Sequence, residues 1–325
     1  VYTVRLTVLD SQHKQVQSEQ TLILAGLPAP IRFAAVFVNG ENGYAAFRIP
    51  CIVAATNGDL VAFAEGRVES VSDSTQTIHI VCKRSRDQGR TWAPLQVVGR
   101  HVIDRQEYAA MNPSAVVDRL RGTGRIVLLY KRLPCSEWAL VRGEGVAGTV
   151  CVISDDHGVS WRDEREITNA VHHPDRWRVQ IPTAGHAIQL RGTADKPFLH
   201  GRLFFSGSHT TDDDSVFEQR NYAFWSDDLG QTWQMGPEID VRADGATAQG
   251  LNEAMAVELS DGRIAINSRN YQNGRAVGCR AVTLGEFDRA GQLHFEPTRH
   301  DATLIEPPCQ ASIARYDARD RERPV

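Results

Sequence analysis

The chain has 325 residues, 42% of them hydrophobic, which is enough to bury a large core within a single all-β domain. Its 36 basic and 40 acidic side chains are interspersed and leave a net charge of −4, which argues against a nucleic-acid surface and requires any anion to be held by a local basic cluster. No apolar run reaches the length of a membrane span, and the chain opens on Val1 without a basic-apolar leader, so a leader or upstream segment is expected to be missing. Cys51, Cys82, Cys135, Cys151, Cys279 and Cys309 form no CxxC pair, so zinc ligation has little support. Cys51, Cys82 and Cys151 lie in apolar runs and read as small buried hydrophobes, while the even count leaves disulfides open.

In chain order, residues 1–25 alternate like two strands joined by a polar turn at 10–13. They resemble the closing hairpin of an immunoglobulin-like or PKD module. Two strands do not stand alone as a domain, so the segment reads as a remnant, with 26–31 as its linker. Strand-like runs then recur in threes: 47–55, 60–64 and 78–84; 114–117, 125–130 and 149–154; 187–190, 202–206 and 222–226; 254–259, 263–268 and 280–284. The first three sets each lead into Ser-x-Asp-x-Gly-x-Ser/Thr-Trp, at 85–92, 154–161 and 226–233, and the fourth leads to a degenerate copy at 288–291. Asp87 and Asp156 are 69 residues apart and Asp156 and Asp228 are 72 apart, a pitch that marks a repeat architecture. Within each copy the Asp bonds backbone N–H groups of its own turn, Gly supplies a positive φ, and Trp packs beneath as a plug. Four-strand units of this kind are propeller blades, so residues 32–325 are expected to form an all-β propeller.

That layout sorts the polar residues by face. The Asp motifs join third to fourth strands and read as turn chemistry, with Trp92, Trp161 and Trp233 as plugs. First-strand starts and second-strand ends share the other face, which receives Arg48, Asn112, His186 and Glu253, then Arg67, the Lys131-Arg132 pair, His209 and Arg269. Asp73 lies in the loop after the second strand of the first blade. No carboxylate partner for His186 or His209 is visible in the sequence, so both read as satisfied polar residues, His209 being kept as a substrate-binding candidate. Lys131 and Arg132 read as rim charges. Two arginines at one mouth suit a carboxylate or phosphate, because the guanidinium fork grips planar anions. With Glu253 and Asp73 as acid/base groups, the set reads as a glycosidase for an anionic sugar.

At these residues the sequence resembles the sialidase (exo-α-neuraminidase) family of glycoside hydrolases. The resemblance rests on Tyr44-x-x-Phe47-Arg48-Ile49-Pro50, Ala64-Glu65-Gly66-Arg67, Met111-Asn112-Pro113, Asn252-Glu253 with Asn267-Ser268-Arg269, Glu306-Pro307-Pro308 and the Asp motifs, across about nine-tenths of the chain. It implies a six-bladed propeller, of which about four blades and part of a fifth are present. It implies that Arg48 and Arg269 grip the sialic acid carboxylate, that Asp73 (or Glu69 in the same loop) is the acid/base, and that Glu253 polarises a tyrosine nucleophile. Arg67 would reach the O4 side, with Asn112 a neutral contact where many bacterial members have Asp. The family's third arginine and its tyrosine belong to later blades and are expected beyond Val325; Tyr316 does not occupy the nucleophile's position. Sialylated glycoproteins, gangliosides and oligosaccharides are the implied substrates, with no metal or cofactor required, and a secreted, periplasmic or cell-surface location suits them. The acidic run 212–214 reads as a solvated loop. A trans-sialidase and a non-catalytic sialoglycan-binding propeller are the alternatives.

Overall fold

The computed structural model describes residues 2–9, 15–22, 33–73, 76–173, 175–211, 219–239, 250–272, 275–276, 278–305 and 309–315. The linker 26–31, the runs 212–214 and 306–308, and Tyr316 lie outside the described residues. The chain divides into two units between residues 35 and 36. In the first, strands Tyr2–Leu9 and Gln15–Leu22 pair antiparallel, Tyr2 opposite Leu22 and Leu9 opposite Gln15.

The second unit is a β-propeller of successive four-stranded antiparallel blades. Blade 1 is Ala46–Ala54, Leu60–Arg67, Ile78–Ser85 and Gln96–Gly99; blade 2 is Gln106–Val117, Ile126–Leu133, Gly148–Ser154 and Arg162–Glu166. Blade 3 is Leu203–Thr211, Arg220–Ser226 and Gln234–Glu238, with an inner strand in two pieces, Trp177–Pro182 and Ile188–Gln189. This corrects the expectation that its inner strand runs over 187–190. The interruption follows from Pro182, which has no N–H for the ladder, and Gly185, whose φ is 116°. Blade 4 is Leu251–Glu258, Ile264–Gln272 and Cys279–Phe287, its outer edge shared by Leu293–Phe295 and Arg299–Ile305. Residues 309–315 have no regular secondary structure and return to the inner strands, where Gln310 Nε2 donates to the Ala184 carbonyl at 2.7 Å.

The cores lie between blades, and strand pleating explains why. Ile126 and Leu128 pack with Val61, Phe63 and Ile80 of blade 1, whereas Val127 and Leu129 pack with Leu203, Phe205 and Phe224 of blade 3. Blades 3 and 4 meet through Phe204, Trp225, Ile264, Ile266 and Phe287. Both faces of second strands such as Ile126–Leu133 and Leu203–Thr211 are thus buried, which gives near-continuous apolar runs, and each fully buried large side chain contributes ~1.5–3 kcal/mol.

The Asp motifs cap the far turns as their chemistry requires. Asp228 Oδ1 accepts from Thr232 N at 2.8 Å, its Oδ2 accepts from Thr232 Oγ1 at 2.6 Å, and Gly230 N donates to Ser226 Oγ at 2.8 Å. The same set recurs around Asp87 and Asp156. The residue before each Gly is also left-handed: Gln88, His157 and Leu229 have φ of 58°, 61° and 58°. Trp161 packs edge-on to Phe63 and Trp233 to Phe205. The fourth copy keeps part of the cap, Asp288 Oδ1 accepting from Ala290 N and Gln292 N. All six cysteines are free, and burial pushes the Cys51, Cys82 and Cys151 thiols up to about 12, which makes them inert at neutral pH.

Candidate active site

Each inner strand is irregular where it approaches one face of the propeller. The pairing register shifts between Arg48 and Cys51, between Met111 and Ser114, between Trp177 and Gln180, and between Leu251 and Ala254. Bulges of this sort re-aim side chains. Ile49 and Asn112 sit in two of them with φ of 52° and 57°, and for β-branched Ile49 this is a strained conformation. The bulges carry Arg48, Asn112 and Glu253, so the geometry that strains the backbone also delivers those candidates to the mouth.

Arg48, Arg67, Asp73 and Asn112 come together there. Asp73 Oδ1 lies 2.5 Å from Arg67 Nη2 and 3.5 Å from Arg48 Nη1. Arg48 and Asp73 keep 48% and 59% of their side chains exposed, so both are open to an incoming ligand, whereas Arg67 is fully buried. Arg67 is held from below by Glu65, whose Oε2 accepts from Nη2 at 2.6 Å and from Nε at 3.1 Å; Nη1 donates to the Val71 carbonyl at 2.5 Å. Glu65 Oε1 accepts the Asn112 backbone N–H at 2.9 Å, tying blade 1 to blade 2. Burial pushes the Glu65 carboxyl up from its ordinary value, and the Arg67 charge and Asn112 N–H pull it back. The sequence reading named Arg67 and passed over Glu65. The signal was present, since two opposite charges at i and i+2 of an apolar strand share one face. Glu69, the alternative acid in this loop, instead accepts the Thr77 backbone N–H at 3.0 Å.

On blade 4, Glu253 Oε2 and Arg269 Nη1 lie 2.7 Å apart across adjoining strands, and the Arg269 guanidinium stacks 4.9 Å over the Tyr271 ring. Arg269 Nη1 is therefore oriented by a carboxylate as Arg67 is by Glu65.

Lys131, His209 and His186 sit differently from expectation. Lys131, read as a rim charge, is fully buried with Nζ 2.5 Å from Glu137 Oε1; its partner comes from the short helix Glu137–Val141. Arg132 bonds Glu164 and lies over the Tyr130 ring. His209 has no exposed surface: it stacks on Trp177 at 3.8 Å, and its Nε2 is 3.6 Å from Glu238 Oε2, the carboxylate partner that the sequence reading did not find. His186 is not at a strand start; it lies in the short Gly185–His186 bridge beside Ser114–Ala115, and burial lowers its imidazole pKa. Among the described residues no group of three or more His, Cys, Asp or Glu is placed to hold a metal, and no helix is long and apolar enough to cross a membrane.

Fold and mouth together define an Asp-motif β-propeller with paired arginines and carboxylates at one end of its inner strands. The family model for the BNR repeat-like domain matches residues 48–286. A sialidase of Micromonospora viridifaciens is 30% identical over 305 residues, covering 90% of this chain and 43% of the relative. Human Sialidase-4 is 26% identical over 323 residues, covering 92% of this chain and 60% of the relative. The chain belongs to the sialidase family of BNR-repeat propellers. It spans about half the length of these curated relatives. Among solved structures, the Hadza microbial sialidase Hz136 superposes with a TM-score of 0.68 at 24% identity, over 83% of this chain and 50% of that one. The intramolecular trans-sialidase of Ruminococcus gnavus follows at 0.64 and 16%, over 83% and 74%. At such identities these superpositions establish the fold alone.

Proposed function

We propose that this chain carries the carboxylate-gripping and acid/base parts of an exo-α-sialidase, which hydrolyses terminal sialic acid from glycoconjugates. The observation that carries the reading is the cluster Arg48–Asp73–Arg67, with the Glu253–Arg269 pair on another blade of the same mouth. Arg48 and Arg269 bind the sugar's carboxylate, and Arg67 with Asn112 forms the wall beside O4. Asp73 protonates the glycosidic oxygen. A substrate carboxylate at Arg48 competes with Asp73 for that guanidinium, so substrate binding turns Asp73 toward the leaving group. Glu253 polarises a tyrosine nucleophile, whose neutral hydroxyl approaches an anionic sugar without the repulsion a carboxylate would meet. Neither that tyrosine nor the third arginine is assigned to a residue of this chain. Substrates of this kind suit a secreted, periplasmic or cell-surface protein.

The test is fluorophore release from a generic α-sialoside by the full gene product, with Arg48→Ala and Glu253→Gln beside wild type. Arg48→Ala is expected to lower kcat/KM about a hundredfold, the loss of roughly 2.7 kcal/mol from a charge-assisted contact. Product analysis separates free sialic acid from transfer or anhydro products. Saturable, Arg48-dependent binding of sialic acid with no turnover would replace the enzyme by a sialoglycan-binding propeller.

A further inference from the structure

Tyr44, which opens the Tyr-x-x-Phe-Arg-Ile-Pro motif, has no part in the mouth chemistry, yet it is buried against the strands that carry Arg48 and Arg67. Phe47, Gly66 and His79 stand opposite one another across the first three strands of blade 1. Cross-strand partners share a face of the sheet, and Arg48, Glu65 and Arg67 alternate with them to the other face. Gly66 therefore leaves a gap in the row between Phe47 and His79, and the Tyr44 ring fills it: a Cβ at residue 66 would lie 2.7 Å from Tyr44 Cε1. Phe47 packs against that ring at 5.3 Å, and His79 meets it edge-on at 5.8 Å.

From that slot a chain of polar contacts runs to blade 2. Tyr44 Oη lies 2.9 Å from His79 Nδ1, His79 Nε2 lies 3.2 Å from Glu107 Oε2, and Glu107 Oε1 accepts from Arg100 Nη1 at 2.7 Å. The order of these groups fixes the direction of each proton. Against the raising effect of burial, the bond to Arg100 and the nearby His79 hold the Glu107 carboxyl below its ordinary value, so it is an ionised acceptor at neutral pH. Burial lowers the His79 imidazole from 6.5, with Glu107 and Glu69 opposing and Arg100 adding to it, so the ring is neutral there. A neutral ring facing a carboxylate at Nε2 keeps its one proton on Nε2, which leaves Nδ1 to accept the Tyr44 hydroxyl proton. Tyr44 is thus anchored at its hydroxyl as well as by its ring, and removing either partner leaves a buried polar atom unpaired.

We propose that Tyr44, His79 and Glu107 are positioning residues for the carboxylate grip: a relay from blade 2 that locks the Tyr44 ring over Gly66 and so fixes the strands presenting Arg48 and Arg67. The inference rests on the reading that Arg48 binds the sialic acid carboxylate. Its specific consequence is kinetic. The substrate carboxylate is held alike before and during bond cleavage, so a loosened Arg48 weakens ground state and transition state together and raises KM with kcat unchanged.

The test is steady-state kinetics of the full gene product on a fluorogenic α-sialoside at neutral pH, with Tyr44→Phe, His79→Leu and the double variant beside wild type and melting temperatures measured alongside. Tyr44→Phe keeps the ring in its slot and removes only the hydroxyl. It is expected to raise KM about fivefold (roughly 1 kcal/mol, the net worth of one buried hydrogen bond) with kcat within about twofold of wild type. His79→Leu should do the same, and the double variant should raise KM no further, because both single changes break one link. If either single variant does not fold, Glu107→Gln takes its place, since Glu107 is only half-buried. A lower melting temperature with KM unchanged, a loss confined to kcat, or KM effects that multiply in the double variant overturns the relay and leaves the sialidase reading standing. Binding of sialic acid without turnover moves the same comparison to the dissociation constant. Wild type with neither turnover nor Arg48-dependent binding overturns the sialidase reading, and the relay with it.

Discussion

Glu65 supports a sharp prediction because it is the buried counter-charge on which the first-blade half of the mouth rests. Its carboxylate holds Arg67 through Nη2 at 2.6 Å and Nε at 3.1 Å, and holds Asn112 N at 2.9 Å, with both charged side chains fully buried. Glu65→Gln keeps the shape and one acceptor but leaves the Arg67 charge without its buried partner. Breaking a buried pair from one side costs about 3–5 kcal/mol. The lower end is expected here, because Arg67 retains the Val71 carbonyl and Asp73. With about 2 °C per kcal/mol for larger domains, the melting temperature should fall by roughly 6 °C. Scanning calorimetry on Glu65→Gln, Arg67→Met and the double variant measures this directly. The double variant should be less destabilised than the two single losses sum to, by a coupling of about 0.5–3 kcal/mol. A Glu65→Gln melting point within about 2 °C of wild type would refute the reasoning. So would strictly additive losses.

Gly207→Ala should be destabilising although glycine is usually the weaker choice in a strand. An added Cβ would lie 2.3 Å from Tyr222 Cε1, and that fully buried ring is fixed by Gln180 Nε2 at 2.6 Å and the Val171 carbonyl at 3.0 Å. Overpacking of this kind costs about 1–3 kcal/mol, read by denaturant titration, and an unchanged midpoint would contradict it. His172 predicts an acid limb in stability. It is 3% exposed, and burial, then His209, His173 and Arg178, lower its pKa from 6.5 to about 4. A buried neutral imidazole stabilises fully above pH 6.5, and that contribution is lost as pH falls toward 4. At pH 5 the loss is about 2 kcal/mol, so His172→Gln should lose correspondingly less stability than wild type between pH 7 and pH 5. Identical pH dependence in the two proteins would remove His172 from the account.

What the sequence revealed and what it hid divide along the range of the interactions. The Asp motifs were legible because their bonds close within five residues, from Ser226 to Gly230 and from Asp228 to Thr232, so the spacing alone specifies the turn. The second strands were legible because both faces are buried, which makes runs such as 126–130 continuously apolar. The Arg48, Arg67 and Glu253 motifs marked the mouth, and the adjoining-strand pairing of Glu253 with Arg269 follows from their spacing. The failures involve partners contributed by distant chain. Lys131 looks like a rim charge until the helix at 137–141 supplies Glu137, and His209 looks partnerless until the outer strand of its blade supplies Glu238. Blade 3 was misplaced for a related reason. Its inner strand is split around Pro182 and Gly185, and only the pairing of Trp177 with Thr211 shows where it begins. Glu65 is the instructive middle case: its partner is two residues away, yet its value lies in the Asn112 N–H, 47 positions distant. A charged residue inside an apolar strand is therefore better read as half of a buried pair than as an exposed exception, since an unpaired charge there would be too costly to keep.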